Sequence, residues 1–161
     1  MKRRNLNIIF LIFVLFLGWI QAFGTAIKMS IKELTTKSDL IIVGKVIDAT
    51  SKWAGDRSNI YTYVTINVEE FIKGSQLTNE IFVQVLGGAI KDEGIAALVS
   101  EMPSFQKGER VVLFLERSHS PKYFLVLTGR YGKFKVTPDN QIEGRSASLE
   151  SFRQEIKKNL F

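Results

Sequence analysis

The chain has 161 residues, 45% apolar and 24% charged, the proportions of an ordinary globular protein of one domain. It contains no cysteine, which excludes disulfides, thiolate metal sites, a cysteine nucleophile and a lipidated N-terminal cysteine. The formal net charge is +6, but Lys2, Arg3 and Arg4 supply half of it; without them the charge is +3, which does not point to a nucleic-acid partner.

Those three cations open a pattern typical of export. They precede an unbroken apolar run from Ile8 to Ile20, followed by the small-residue stretch Ala22-Phe23-Gly24-Thr25-Ala26. A cationic start, a short apolar core and small-x-small spacing predict a secretory signal peptide over residues 1–24. The alternative is a retained anchor, but Ile8 to Phe23 is shorter than the ~20 residues that span a bilayer comfortably. Residues 25–161 are then expected to form a single domain that is secreted or periplasmic. Its only contact with a membrane would come through the signal segment before cleavage. Without disulfides, its own apolar core must hold it together.

A capping box, Ser30-Ile31-Lys32-Glu33, predicts a short helix to about Lys37, with Ile27, Ile31 and Leu34 on one face. Strand patterns follow in close succession. Leu40 to Ala49 begins as a buried β-branched run. Ile60 to Phe71 alternates, with Ile60, Val64, Ile66 and Val68 on one face and Tyr61, Tyr63, Thr65, Asn67 and Glu69 on the other. Glu80 to Leu86 places Ile81, Val83 and Val85 inward. Arg110 to Leu115, Tyr123 to Leu127, Gly132 to Val136 and Gln141 to Glu143 complete the strand set, the last two flanking a Pro138-Asp139-Asn140 turn. Ser148 caps a closing helix whose stripe is Leu149, Phe152, Ile156 and Leu160, with Lys157 and Lys158 in its last turn.

Short strands without helices between them argue against a parallel α/β sheet. The expected fold is mainly β: a small OB-like antiparallel barrel with a short N-terminal helix and a C-terminal helix. The segment from Gly87 to Gly108 is long for a hairpin connection. It is either an extra strand with its turns, with Leu98 to Glu101 available to pair, or a loop that contacts a partner.

Two stretches carry a resemblance. One is Lys37-Ser38-Asp39 leading into Leu40 to Val46, with Val68 to Gly74 after it. The other is Phe105-Gln106-Lys107-Gly108-Glu109-Arg110 running into Val111 to Leu115. In order and pattern they resemble the OB-like barrel of the tissue inhibitors of metalloproteinases and the netrin C-terminal module. The Gly87-Gly88 element and the stretch Pro103 to Arg110 resemble small exported bacterial domains of unassigned function. The match covers about residues 33–136. It implies a fold and does not carry inhibition across, since those inhibitors use an N-terminal cysteine that this chain lacks.

Sequence motifs for chemistry are sparse. His119, the only histidine, lies in the polar turn Arg117-Ser118-His119-Ser120-Pro121, and no nucleophile elbow accompanies it. Gly87, Gly88 and Gly94 lack the ending of a phosphate loop. Asp92 and Glu93 lack calcium-loop spacing to Asp56 or Glu101. No cofactor is expected and no enzyme is expected, because acid–base and nucleophilic chemistry need convergent titratable groups. The candidate ligand-binding residues are instead Trp53, Tyr61, Tyr63, Arg130 and Tyr131: aromatic faces with an arginine, suited to stacking on sugar rings or peptide side chains. The alternative is that the same aromatics cover the barrel rim or pack on the terminal helix. The expected function is a non-enzymatic binding domain for a protein, peptide or glycan of the cell envelope. A protease-inhibitor-like module and a cell-envelope hydrolase are the alternatives.

Overall fold

The computed structural model describes residues 29–160; the predicted signal segment lies outside the described residues. Helix α1, Ile31–Lys37, starts where its capping box predicts. The Glu33 N–H donates to Ser30 Oγ at 3.2 Å, and the Ser30 N–H donates to the Glu33 carboxylate at 2.8 Å. At its other end, Lys73 Nζ donates to the carbonyls of Thr35 and Thr36 at 2.7 and 3.0 Å, a cation placed where the helix dipole is negative.

The strands are β1 Leu40–Trp53, β2 Ile60–Lys73, β3 Glu80–Leu86, β4 Gly88–Ile90, β5 Ile95–Ala97, β6 Arg110–Arg117, β7 Phe124–Val126 and β8 Lys133–Val136; helix α2, Leu149–Lys158, closes the chain. Pairing runs β1-β2-β3-β7-β6 and returns from β6 to β1, giving a closed five-stranded OB-like barrel with β8 continuing alongside β6. Every pairing is antiparallel except the seam between β3 and β7, which is parallel. β1 pairs with β2 over its whole length and with β6 over its first half. Register shifts at Ile41/Ile42, Val43/Gly44 and Val46/Asp48 let it coil enough to do both. Gly44 sits at this bend, where a Cβ would come within 2.7 Å of Ile66 and 2.8 Å of the Asn67 carbonyl.

Two apolar cores share β1 and β6. The barrel interior holds Leu40, Ile42, Val46, Val64, Ile66, Val83, Leu113 and Leu115 among others. The opposite faces of the same strands, with Ile41, Val43, Val112 and Phe114, pack against Leu34 of α1 and Phe152 and Ile156 of α2. Burial on both faces explains why Leu40 to Val43 and Val111 to Leu115 read as unbroken apolar runs, while β2 and β3, covered on one face, alternate.

Some expected boundaries shift. β1 runs four residues past Ala49, because Thr50 to Trp53 find partners in Tyr63 to Ile60. Gln141 to Glu143 is not a strand: Ile142 and Gln141 make isolated bridges to Val136 and Ser148. Within the long segment the pairing strand is Ile95–Ala97, not Leu98 to Glu101. Gly94 takes a left-handed φ of 66° after the 3-10 turn Lys91–Glu93, and this sets Ile95 opposite Ile90. Leu98 is left 96% exposed.

Candidate binding face

The helices cover the β1–β6–β8 side of the barrel and the C-terminal end of β2, where Ile72 joins their core and Arg153 pairs with Glu70, so the outer face of the first half of β2, of β3 and of β7 is open. Strand alternation presents Tyr61, Tyr63 and Thr65 there, in register with Leu86, Gln84 and Phe82 of β3. The turn from β6 to β7 adds to this row. Ser118 Oγ donates to the Ser120 carbonyl and accepts from its N–H, while the Tyr123 N–H donates to the same carbonyl at 3.2 Å. The turn thereby lays Tyr123 on Tyr63, ring centroids 5.2 Å apart, with Tyr61 a further 6.5 Å from Tyr63. Lys122 Nζ lies 5.3 Å from both the Tyr123 and Phe82 rings, within cation–π range.

Beside this row lies a cleft of about 540 Å³. Tyr61, Gln84 and Leu86 form one wall, Leu125 and the turn with His119 another, and Met102, Thr128 and Gly129 its far end. Its depth reaches the inward-facing Val85 and Val126, which remain 6% and 8% exposed. The far end is conformationally strained. Thr128 and Glu101 both take left-handed φ, 56° and 62°, and the Arg130 N–H donates to the Glu101 carbonyl at 2.8 Å. Positive φ on a β-branched residue is costly and persists only where surrounding contacts hold it.

The five residues singled out from sequence fall in three places. Tyr61 and Tyr63 share the open face. Arg130 and Tyr131 sit beyond the strained end of the cleft. The Arg130 guanidinium stacks 5.1 Å from the Tyr131 ring, donates to its hydroxyl and pairs with Glu101 at 2.7 Å. The tyrosine hydroxyl first, then Glu101, hold this guanidinium protonated beyond its ordinary range. Trp53 belongs to a different structure. Its indole N–H donates to the Glu93 carboxylate at 3.1–3.2 Å, and Arg57 both stacks on the ring at 5.1 Å and pairs with Glu93 at 3.2 Å. This trio staples the β4–β5 hairpin to the tip of β1–β2. Gly88 belongs to the same junction: any Cβ there would collide with the Ser51 and Thr62 hydroxyls.

Residues missing from the sequence reading are Phe82, Lys122 and Tyr123. Phe82 was available as the outward position of an alternating strand; Tyr123 and Lys122 depend on which loop comes to lie over β2. The stretch Pro103 to Arg110 is a structural plug. Phe105 packs against the barrel core beneath Lys133, 4.4 Å from its ring centroid, and Lys133 pairs with Glu109 at 2.8 Å while also donating to the Ser104 carbonyl. His119 is exposed on its turn, and no group of three or more potential metal-ligating side chains occurs among the described residues.

No family model matches the chain, and no curated protein matches it either.

Proposed function

We propose that this chain is an exported, non-enzymatic binding domain that takes up a protein, peptide or glycan chain of the cell envelope on its helix-free face. One observation carries the reading. The Tyr61–Tyr63–Tyr123 row and Lys122 stand beside an open cleft of about 540 Å³, on the side of the barrel that neither helix covers. In OB barrels the face of the second and third strands, with the loops flanking it, is where extended polymers bind. Tyrosines suit that role: each offers a large apolar area with a polar tip, and two torsions to immobilise.

The export half of the reading rests on Lys2-Arg3-Arg4, the apolar run from Ile8 and the small residues that follow. It is tested by the N-terminal sequence of the chain recovered from medium or periplasm, which should begin close to Thr25. The binding half is tested by titrating the protein with peptidoglycan fragments and with unstructured peptides in parallel. Tyr63→Ala should weaken whichever ligand binds by at least about tenfold, the weight of one well-packed aromatic anchor. Equal affinity of Tyr63→Ala and the parent chain would contradict the reading.

A further inference from the structure

One half-buried carboxylate lacks the cation that the others have. Among the described residues the half-buried glutamates are Glu70, Glu101, Glu109, Glu116 and Glu155. Glu70 meets Arg153 at 2.5 Å, Glu101 meets Arg130 at 2.7 Å, Glu109 meets Lys133 at 2.8 Å and Glu155 meets Arg145 at 3.1 Å. Glu116 makes no ion pair among the described residues. A carboxylate drawn partly out of water loses hydration that a cation normally makes good. Lys122, on the turn that follows, does not serve: its ammonium lies over the Phe82 and Tyr123 rings.

Strand register sets where Glu116 stands. It lies opposite Leu125 across the β6–β7 ladder. Val83 pairs with Phe124 in parallel, so the next residues, Gln84 and Leu125, lie side by side. Val83 and Phe124 belong to the barrel core, and alternation therefore turns Gln84, Leu125 and Glu116 outward as a row across three strands. All three line the cleft. The wall supplied by β6 and its turn is polar: Glu116, with Ser118, His119 and Ser120. No other carboxylate lines the cleft, and neither lysine nor arginine does. Tyr61, Leu86, Leu125, Met102 and Pro103 make most of the remaining surface apolar.

A group complementary to this surface has a positive head on an alkyl stem, which lysine and arginine side chains provide. A neutral glycan fits it poorly, because its hydroxyls would be pressed on apolar walls without partners. Resting on the binding-face reading, we infer that the cleft is a socket for one lysine or arginine side chain of a peptide ligand. The charged head pairs with Glu116, and the stem lies along Leu125 and Leu86.

The test is selection of a random linear peptide library, displayed on phage, against the full chain. Selected sequences should carry a lysine or arginine beside an apolar residue. One selected peptide is then synthesised with its lysine replaced by norleucine, or its arginine by citrulline, which removes the charge and keeps the stem. This change should cost about tenfold in affinity for the parent chain and next to nothing for Glu116→Gln, the signature of a direct pair. Glu116→Lys should turn the selection towards acidic peptides. Glu116→Gln should melt no lower than the parent chain, since the carboxylate has no partner within the fold; a lower melting temperature would make Glu116 structural and overturn the socket. Selected peptides without basic residues, or a neutral analogue that loses equally against both proteins, would overturn the inference and leave the proposed function standing. Binding of glycan strands stripped of peptide, with no peptide selected, would do the same. Binding of neither removes both.

Discussion

Lys133 and Glu109 show what a single pair does here. Their side chains are 12% and 9% exposed, and the ammonium also lies over Phe105 and donates to the Ser104 carbonyl. A pair this dry gains little over an apolar substitute, but removing one partner strands the other. Lys133→Ala is expected to destabilise by about 3 kcal/mol, and the double variant Lys133→Met, Glu109→Met by much less; urea unfolding of the three proteins measures the difference. Glu33 is a smaller case with a defined sign. Hydrogen bonds from the Ser30 backbone, then from its hydroxyl, hold the Glu33 carboxyl below the ordinary glutamate range. A depressed folded value means the stabilisation is present above the unfolded pKa and is lost as pH falls through the folded one. Stability should therefore decline less on acidification in Glu33→Gln than in the parent chain, as read by thermal unfolding between neutral and acidic pH. At this scale the capping box was legible in sequence, because its partners lie three residues apart. Trp53 with Glu93, 40 residues away, was not; local pattern carries no information about which loop folds back onto which.

At the scale of elements, periodicity explains what could be read. β2 and β3 alternate because one face is buried and the other wet, so Tyr61 and Tyr63 could be assigned outward before any coordinates. β1 and β6 read as continuous runs because helices cover their second face. The hairpin β4–β5 was harder. Leu98 to Glu101 has strand character, but the left-handed Gly94 and the Gly88 junction choose the register, so Ile95–Ala97 pairs instead. The Trp53–Glu93–Arg57 staple holds this hairpin from one side. Trp53→Phe deletes the indole donor and should loosen it locally. Hydrogen exchange at Ala89 and Ile95 should quicken while exchange in β6 stays unchanged; equal acceleration in β6 would show that the staple supports the whole barrel. The β3–β7 contact carries a single ladder pair, Val83↔Phe124, so in the free protein the Leu86 amide, which faces β7, should exchange faster than that of Val85, which bonds to β2.

For the whole molecule, the decisive feature is that two cores are built on the same two strands. Phe152 of α2 is fully buried and packs against Phe134 at 4.9 Å and Phe114 at 6.4 Å. Phe152→Ala should cost about 3–5 kcal/mol. It should lower the midpoint of a single cooperative transition rather than melt the helix alone, because Phe114 belongs to a strand that also closes the barrel. A separate helical transition by circular dichroism would contradict that coupling. The barrel, its helices and two of the three tyrosines of the row could be anticipated from sequence. The face itself could not, because it exists only where the β6–β7 turn carries Tyr123 onto Tyr63 and where neither helix lies. Its use as the binding surface is tested most directly by mapping amide and side-chain chemical shifts during titration with the peptides and peptidoglycan fragments. Perturbations should gather on Tyr61, Tyr63, Phe82, Tyr123 and Leu125. Perturbations confined to the helices, or to the β4–β5 hairpin around Leu98, would contradict the account.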